Sequence, residues 1–351
     1  MALPSESRVK QKRILEPPGF NKSTIMKEEL LNKLRNVYLH FTGNNRLPVE
    51  RRGITDTSEA SELIAEYLLR DEPCMIARYG SNELDTICNY MGVARGGNIF
   101  TAALPYIFDR RPKWWWDEKL ITQMHVVAGV FPGNADTMSR FAKRMIDDSP
   151  MVDILGSWRP NESYMKPYFK PGIRFVDREK LNPFFAKKPW TLALEGKKVL
   201  VVHPFVESIK QQYARKEKLF PHPVLPDFQL QVLPAVMSHA GSSQYADWFE
   251  ALAFMEHEID RTDFDVALLG CGAYGFPLAA HIKRQGKKAV HIGGSLQLFF
   301  GIKGKRWESE GYKGGPNDYS TLFNEYWVYP NMNERPASIQ DVERLEGNCY
   351  W

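Results

Sequence analysis

The chain is poor in cysteine and has no motif that would put cysteine to work. Four residues of 351, Cys74, Cys88, Cys271 and Cys349, stand without CxxC or zinc-ligand spacing. A disulfide framework and a structural zinc site are therefore not expected, and a reducing compartment fits best. No apolar run approaches the roughly 20 residues of a membrane-spanning helix, and charges occupy the N-terminal stretch where a signal peptide would carry its apolar core. The expected location is cytoplasmic. Internal repeats and low-complexity tracts are missing, which removes solenoids and disordered linkers. So are a GK[ST] P-loop, a serine in a nucleophile elbow and an HExxH helix, and with them the chemistries those motifs perform.

What is present suits a globular protein. Hydrophobic residues make up 43% and charged residues 25% of the chain, ordinary values for a soluble fold with a sizeable core. The net charge of +4 is unevenly placed, since residues 1–55 carry 11 Lys/Arg against 5 Asp/Glu. Such a basic leader reads as a solvated arm or as a peripheral contact with an anionic surface, such as the inner face of a membrane. Nothing else speaks for nucleic acid.

Hydrophobic periodicity divides the chain into alternating strands and helices. After an irregular arm over residues 1–22, a packing helix is expected from Met26 to Phe41, with Leu30, Leu34, Val37, Tyr38 and Phe41 on one stripe. Asp56 and Glu59 resemble a capping box that opens an amphipathic helix to about residue 70. Strands are expected at Cys74–Ala77, His125–Phe131, Val152–Leu155, Ile173–Val176, Lys197–His203, Leu230–Val236, Val266–Leu269 and 289–291, with helices between most of them. Residues 156–196 read as an irregular insertion of the kind that often carries function. The expectation is a single α/β domain over 56–330, Rossmann-like with a mostly parallel sheet and helices on both faces, between a basic N-terminal arm and helix (1–55) and a C-terminal tail (331–351).

Ligands of open α/β sheets lie beyond the carboxyl ends of the strands. Four polar turns fall at such ends. Gly270, Gly272 and Gly275 give a GxGxxG spacing, with Ala273 and Tyr274 between, and Pro277 suits the first turn of the helix that follows. Backbone N–H groups there would receive a diphosphate. A dinucleotide site would also need a carboxylate after the next strand, where this chain has His291, Gly293 and Gly294. The turn Arg78, Tyr79, Gly80, Ser81, Asn82 and Glu83 offers a guanidinium for phosphate and a carboxylate for a sugar hydroxyl or divalent ion, although a plain local ion pair has the same spacing. His203 and Glu207 follow another strand and are candidate bases, His203 being equally suited to bridging backbone groups. Lys303, Lys305 and Arg306 form a basic, glycine-interrupted loop suited to a diphosphate or to solvation. Trp114, Trp115 and Trp116 cannot all face one side, so at least one should be partly exposed.

The Arg78-Tyr-Gly-Ser-Asn-Glu turn, with Gly270-Cys-Gly-Ala-Tyr-Gly and His291-Ile-Gly-Gly, resembles the GT-D-type glycosyltransferases of bacterial polysaccharide and glycoprotein assembly. The resemblance covers roughly residues 56–307. It implies a Rossmann-like fold that binds a nucleotide-sugar, expected to be a UDP-sugar, and transfers the sugar to a glycan or related acceptor. The family carries Asp-x-Glu where this chain has Ser81-Asn82-Glu83. The glutamate carries over to Glu83, and one of the two anionic ligands expected for Mn²⁺ or Mg²⁺ is replaced by Ser81. Two other readings stand beside it, a Rossmann enzyme using NAD(P) or S-adenosylmethionine and a non-catalytic nucleotide-sugar-binding module.

Overall fold

A computed structural model describes residues 22–42, 53–238, 241, 243–308 and 318–334. The arm expected over 1–22, apart from Lys22, and the tail beyond residue 334, with Cys349, lie outside them. The chain divides into two compact units, Met1–Asn45 with Asn98–Arg111, and Arg46–Gly97 with Pro112–Trp351.

The larger unit is α/β and Rossmann-like. It holds one seven-stranded, all-parallel sheet in the order β3-β2-β1-β7-β6-β4-β5. The strands are β1 (Met75–Ala77), β2 (Ile154–Ser157), β3 (Arg174–Asp177), β4 (Lys198–His203), β5 (Gln229–Pro234), β6 (Val266–Leu269) and β7 (Lys288–His291). The described helices of the chain are α1 (Lys22–Thr42), α2 (Thr57–Leu69), α3 (Ser81–Arg95), α4 (Ile99–Ile107), α5 (Glu118–Val126), α6 (Ala135–Asp148), α7 (Val206–Tyr213), α8 (Trp248–Asp260), α9 (Gly275–Arg284), α10 (Leu296–Phe299) and α11 (Lys305–Glu308). The inner strands, short runs rich in Val, Leu, Ile and Ala, are buried on both faces, and alternate residues feed two separate cores. Val199 and Val201 of β4 join α2, α7 and α10 on one face, while Leu200 and Val202 join α3, α5, α6, α8 and α9 on the other. This is the pattern of a parallel sheet covered on both sides.

The connections position the site. The chain leaving β1 and β6 enters α3 and α9 on one face, whereas the chain leaving β4 and β7 enters α7 and α10 on the opposite face. The neighbouring strands β1 and β7, and β6 and β4, therefore send their connections apart, which opens a crevice above their carboxyl ends.

Several expectations are corrected. His125–Phe131 is not a strand. Asp117 caps α5 by accepting from the N–H groups of Lys119 and Leu120, and Leu120, Ile121 and Met124 face the core at helical spacing. The apolar run that follows turns at Gly129, which has φ +70°. The α/β unit also begins before Asp56, because Ile54 bridges to Val176 beside β3.

In the smaller unit, α1 packs on α4 through a different stripe from the one expected. Leu31 is buried, and Arg35 pairs with Asp109, donates to the carbonyls of Tyr106 and Arg111, and lies 4.4 Å from the Tyr106 ring centre. Leu30, Leu34, Val37 and Phe41 are exposed, Phe41 at 82%. Helix α4, opened by a capping box at Asn98, has no counterpart in the sequence reading because its apolar residues run all round it.

Candidate functional site

A cavity of about 400 Å³ lies over the carboxyl ends of the sheet, and residues that follow all seven strands line it. It is built around Arg78. The last position of β1 hands the chain to Arg78, whose Nε donates to the Ile292 carbonyl at 3.2 Å and whose Nη1 donates to the Tyr79 carbonyl at 3.3 Å. The guanidinium thus spans the gap between β1 and β7. It lies against Gly293, where a Cβ would fall 1.9 Å from Nη2, so the His-Ile-Gly-Gly turn has a glycine where the arginine crosses it. Gly293 also has φ +79°, a region that residues with a Cβ avoid. Gly80 stands in a similar relation to Glu83, whose carboxylate folds back over it; any Cβ at position 80 would overlap Oε2.

Three glycines of the GxGxxG turn have different roles. A Cβ at Gly270 would meet His203 Cδ2 at 2.6 Å, and one at Gly275 would meet His291 Nδ1 at 2.2 Å. Gly270 and Gly275 therefore make room for imidazole rings. Gly272 alone faces open space, with φ +57° and nothing within 4 Å of a notional Cβ. It lines the cavity with Ala273 and Tyr274, just before the first turn of α9. Tyr274 is fixed by stacking on Trp248, 5.0 Å between centres, and by a 2.7 Å hydrogen bond with the Ser238 hydroxyl. Neither α9 nor α3 has a side-chain cap, and the cavity lies at the N-terminus of α3. Helix dipoles and first-turn N–H groups directed there favour an anion.

His203 ends β4 and is 2% exposed. The Phe205 N–H donates to its Nδ1 at 3.1 Å, so the proton of the neutral ring sits on Nε2. Burial lowers its pKa to about 3. His203 is thus a neutral donor facing the cavity, which corrects its assignment as a base. Glu207 is corrected too. Its side chain is exposed, pairs with Lys210 at 3.1 Å and does not line the cavity. His291 lies under α9, with Nδ1–H donating to the Leu269 carbonyl at 3.3 Å, and burial followed by the nearby Arg78 charge brings its pKa to about 3. It does not line the cavity either, nor do Gly275 and Gly293, which support residues that do.

The basic loop divides. Arg306 reaches the cavity, while Lys303 lies over the rings of Phe323 and Tyr329 at 5.5 and 5.9 Å, and Lys305 points to solvent. Ser81, Asn82, Glu83 and Gly294 line the cavity with Arg78 and Gly80. Among the described residues, no three His, Cys, Asp or Glu side chains converge to hold a metal ion. At the α3 turn the donor set is Glu83 beside Ser81, a single carboxylate that does not make a protein cage for Mn²⁺ or Mg²⁺. Cys271 also lines the cavity, and burial pushes its thiol up to about 12, which keeps it a neutral, unreactive group.

Sequence reasoning misses the outer lobe. Trp158 follows β2, Arg178, Glu179 and Asn182 follow β3, and Tyr319 comes from the short turn Tyr319–Leu322. The available signal was the functional bias of long irregular connections, since 156–196 contains four of the five. The three consecutive tryptophans, each half-buried, do not line the cavity. They are held by Asn89, which donates to the carbonyls of Lys113 and Trp115.

No family model, no curated protein and no solved structure matches the chain.

Proposed function

We propose that the chain is a glycosyltransferase that takes a sugar from a nucleotide-sugar and passes it to a glycan or related acceptor, in the manner of the GT-D enzymes its turns resemble. The observation that carries this reading is the joining of two turns nearly 200 residues apart in sequence, Arg78–Glu83 and Gly270–Tyr274, on one cavity with Arg78 locked across Gly293. Arginines 78, 178 and 306 outnumber Glu83 and Glu179 among its charged residues. That balance, with the turns ahead of α3 and α9, suits a nucleoside diphosphate.

In this reading the diphosphate lies over Gly272, between Arg78 and the start of α9. Arg78 and the helix dipoles stabilise the negative charge that grows on the leaving diphosphate as the sugar–phosphate bond breaks. The Nε2–H of His203 donates to a ligand oxygen, and Glu83 orients the sugar through its hydroxyls. A Mg²⁺ or Mn²⁺ carried in by the diphosphate would find Glu83 as its protein ligand. The chain has no carboxylate in the His291–Gly294 turn to hold a dinucleotide's ribose, which weighs against NAD.

Thermal unfolding with UDP, GDP, CMP, NAD and S-adenosylmethionine, each with and without Mn²⁺, tests the reading. A nucleoside diphosphate should raise Tm, and the matching nucleotide-sugar should be consumed. Stabilisation by NAD or S-adenosylmethionine alone would overturn it. Binding without any transfer or hydrolysis would favour a non-catalytic nucleotide-sugar module.

A further inference from the structure

The cavity is divided by hydrogen-bonding sense. Towards β1, β7, β6 and β4 it presents mostly donors, namely the Arg78 guanidinium, His203 Nε2–H and the first turn of α3, with the Glu83 carboxylate among them. Towards β3 it adds the acceptors of Asn182 and Glu179 beside the Arg178 guanidinium. Asn182 is 7% exposed, and its amide nitrogen donates to the Tyr319 hydroxyl at 2.7 Å, which in turn donates to Glu179 Oε2 at 2.7 Å. The chain of donation fixes which way the amide points. It leaves Asn182 Oδ1 buried with no hydrogen-bond partner. A buried polar atom left in this state calls for a ligand. Glu179 is held by an ion pair with Arg178, whose guanidinium lies 4.2 Å from the centre of the Trp158 ring. Trp158 is anchored by its Nε1–H on the Tyr79 carbonyl at 3.0 Å, so the lobe is tied to the same turn that carries Arg78.

An amide oxygen and a carboxylate in one lobe, linked through the Tyr319 hydroxyl, are matched by a ligand that brings O–H or N–H donors. A phosphate, all acceptors at its surface, is matched by Arg178 but not by Asn182 Oδ1 or Glu179. The lobe also lies at the far edge of the sheet, since β3 and β6 are four strand spacings apart, about 19 Å. A ligand with its diphosphate over Gly272 leaves this lobe to another group. We infer that the lobe formed by Trp158, Arg178, Glu179, Asn182 and Tyr319 is the subsite for the acceptor, a sugar whose hydroxyls donate to Asn182 Oδ1 and Glu179. The acceptor role rests on the glycosyltransferase reading, whereas the binding of a hydroxylated ligand rests on the geometry alone.

Saturation-transfer NMR on the full chain, with glucose, galactose, mannose and N-acetylglucosamine as probes, tests it. At least one sugar should show contact with the protein, and inorganic phosphate should not displace it. Asn182→Leu and Glu179→Gln should each weaken that contact about tenfold, while the Tm shift produced by nucleoside diphosphate stays as in the unsubstituted chain. Glu179→Gln keeps the shape of the side chain and so guards against loss of fold at position 182. No contact by any sugar, or equal contact in both variants, would overturn the inference. Sugar contact that depends on Asn182 and Glu179 in a chain that binds no nucleotide would uphold the subsite and sink the glycosyltransferase reading.

Discussion

Gly270 and Gly275 exist to seat imidazoles, and those imidazoles make the fold sensitive to acid. His203 and His291 are neutral when buried, with pKa values lowered from 6.5 to about 3. Between those values the unfolded chain binds protons that the folded chain does not, so stability falls as pH drops through that window. The slope is on the order of 1.4 kcal/mol per pH unit for each histidine. Urea unfolding at a series of pH values from 8 to 4 should show Gln at both positions flattening this loss relative to the parent chain, with little change in slope above pH 7. Glycine substitutions should separate support from contact. Gly270→Ala places a Cβ against His203 and should cost stability, whereas Gly272→Val meets only open space. The latter should lose about 1–2 kcal/mol for its positive φ and abolish nucleotide binding, as read by calorimetry. Glu83→Gln should remove sugar transfer and leave Tm within a degree or so of the parent, because the carboxylate folds over Gly80 rather than supporting the core. Retained transfer would take Glu83 out of the mechanism.

Elements were legible where pattern and punctuation agreed. The β6–α9–β7 unit reads directly, because a short apolar run, glycines and a proline in the first turn leave one physical solution. Helix α2 has its start at Asp56, whose side chain accepts from the N–H groups of Ser58 and Glu59 at 2.9 Å each. Asp56→Ala should cost about 1 kcal/mol in chemical unfolding. The run after His125 misled because four to eight apolar residues suit a strand and the end of a buried helix alike. Helix α1 misled differently. Of its expected stripe of Leu30, Leu34, Val37, Tyr38 and Phe41, Tyr38 packs on Phe108 with 5.1 Å between ring centres, while the polar Arg35 and Asn32 hold α4 and the loop after it through Asp109, open carbonyls and the Tyr106 hydroxyl. Phe41→Ser and Leu34→Ser should therefore change unfolding free energy by less than about 0.5 kcal/mol. The outer lobe of the site was illegible for a third reason. Glu179, Asn182 and Tyr319 meet only through folding, and no spacing links residues about 140 positions apart.

At the scale of the whole molecule, the parallel sheet holds the site as a consequence of strand order alone. Strands β1 and β7 are neighbours, so Met75 pairs with Ala289 and Ile76 with Val290. Arg78 then finds the Ile292 carbonyl, which lies 214 residues away. No described helix is long and apolar enough to cross a membrane. That strand order also sets a timetable. A ribosome releases β1 long before β7, and until the later strand arrives Arg78 Nε lacks the Ile292 carbonyl and the cavity has no wall on that side. Binding competence is therefore acquired in one late event of synthesis, when β7 enters the sheet between β1 and β6. Growing chains stalled before residue 292 should hold no ligand, however well their earlier strands have formed.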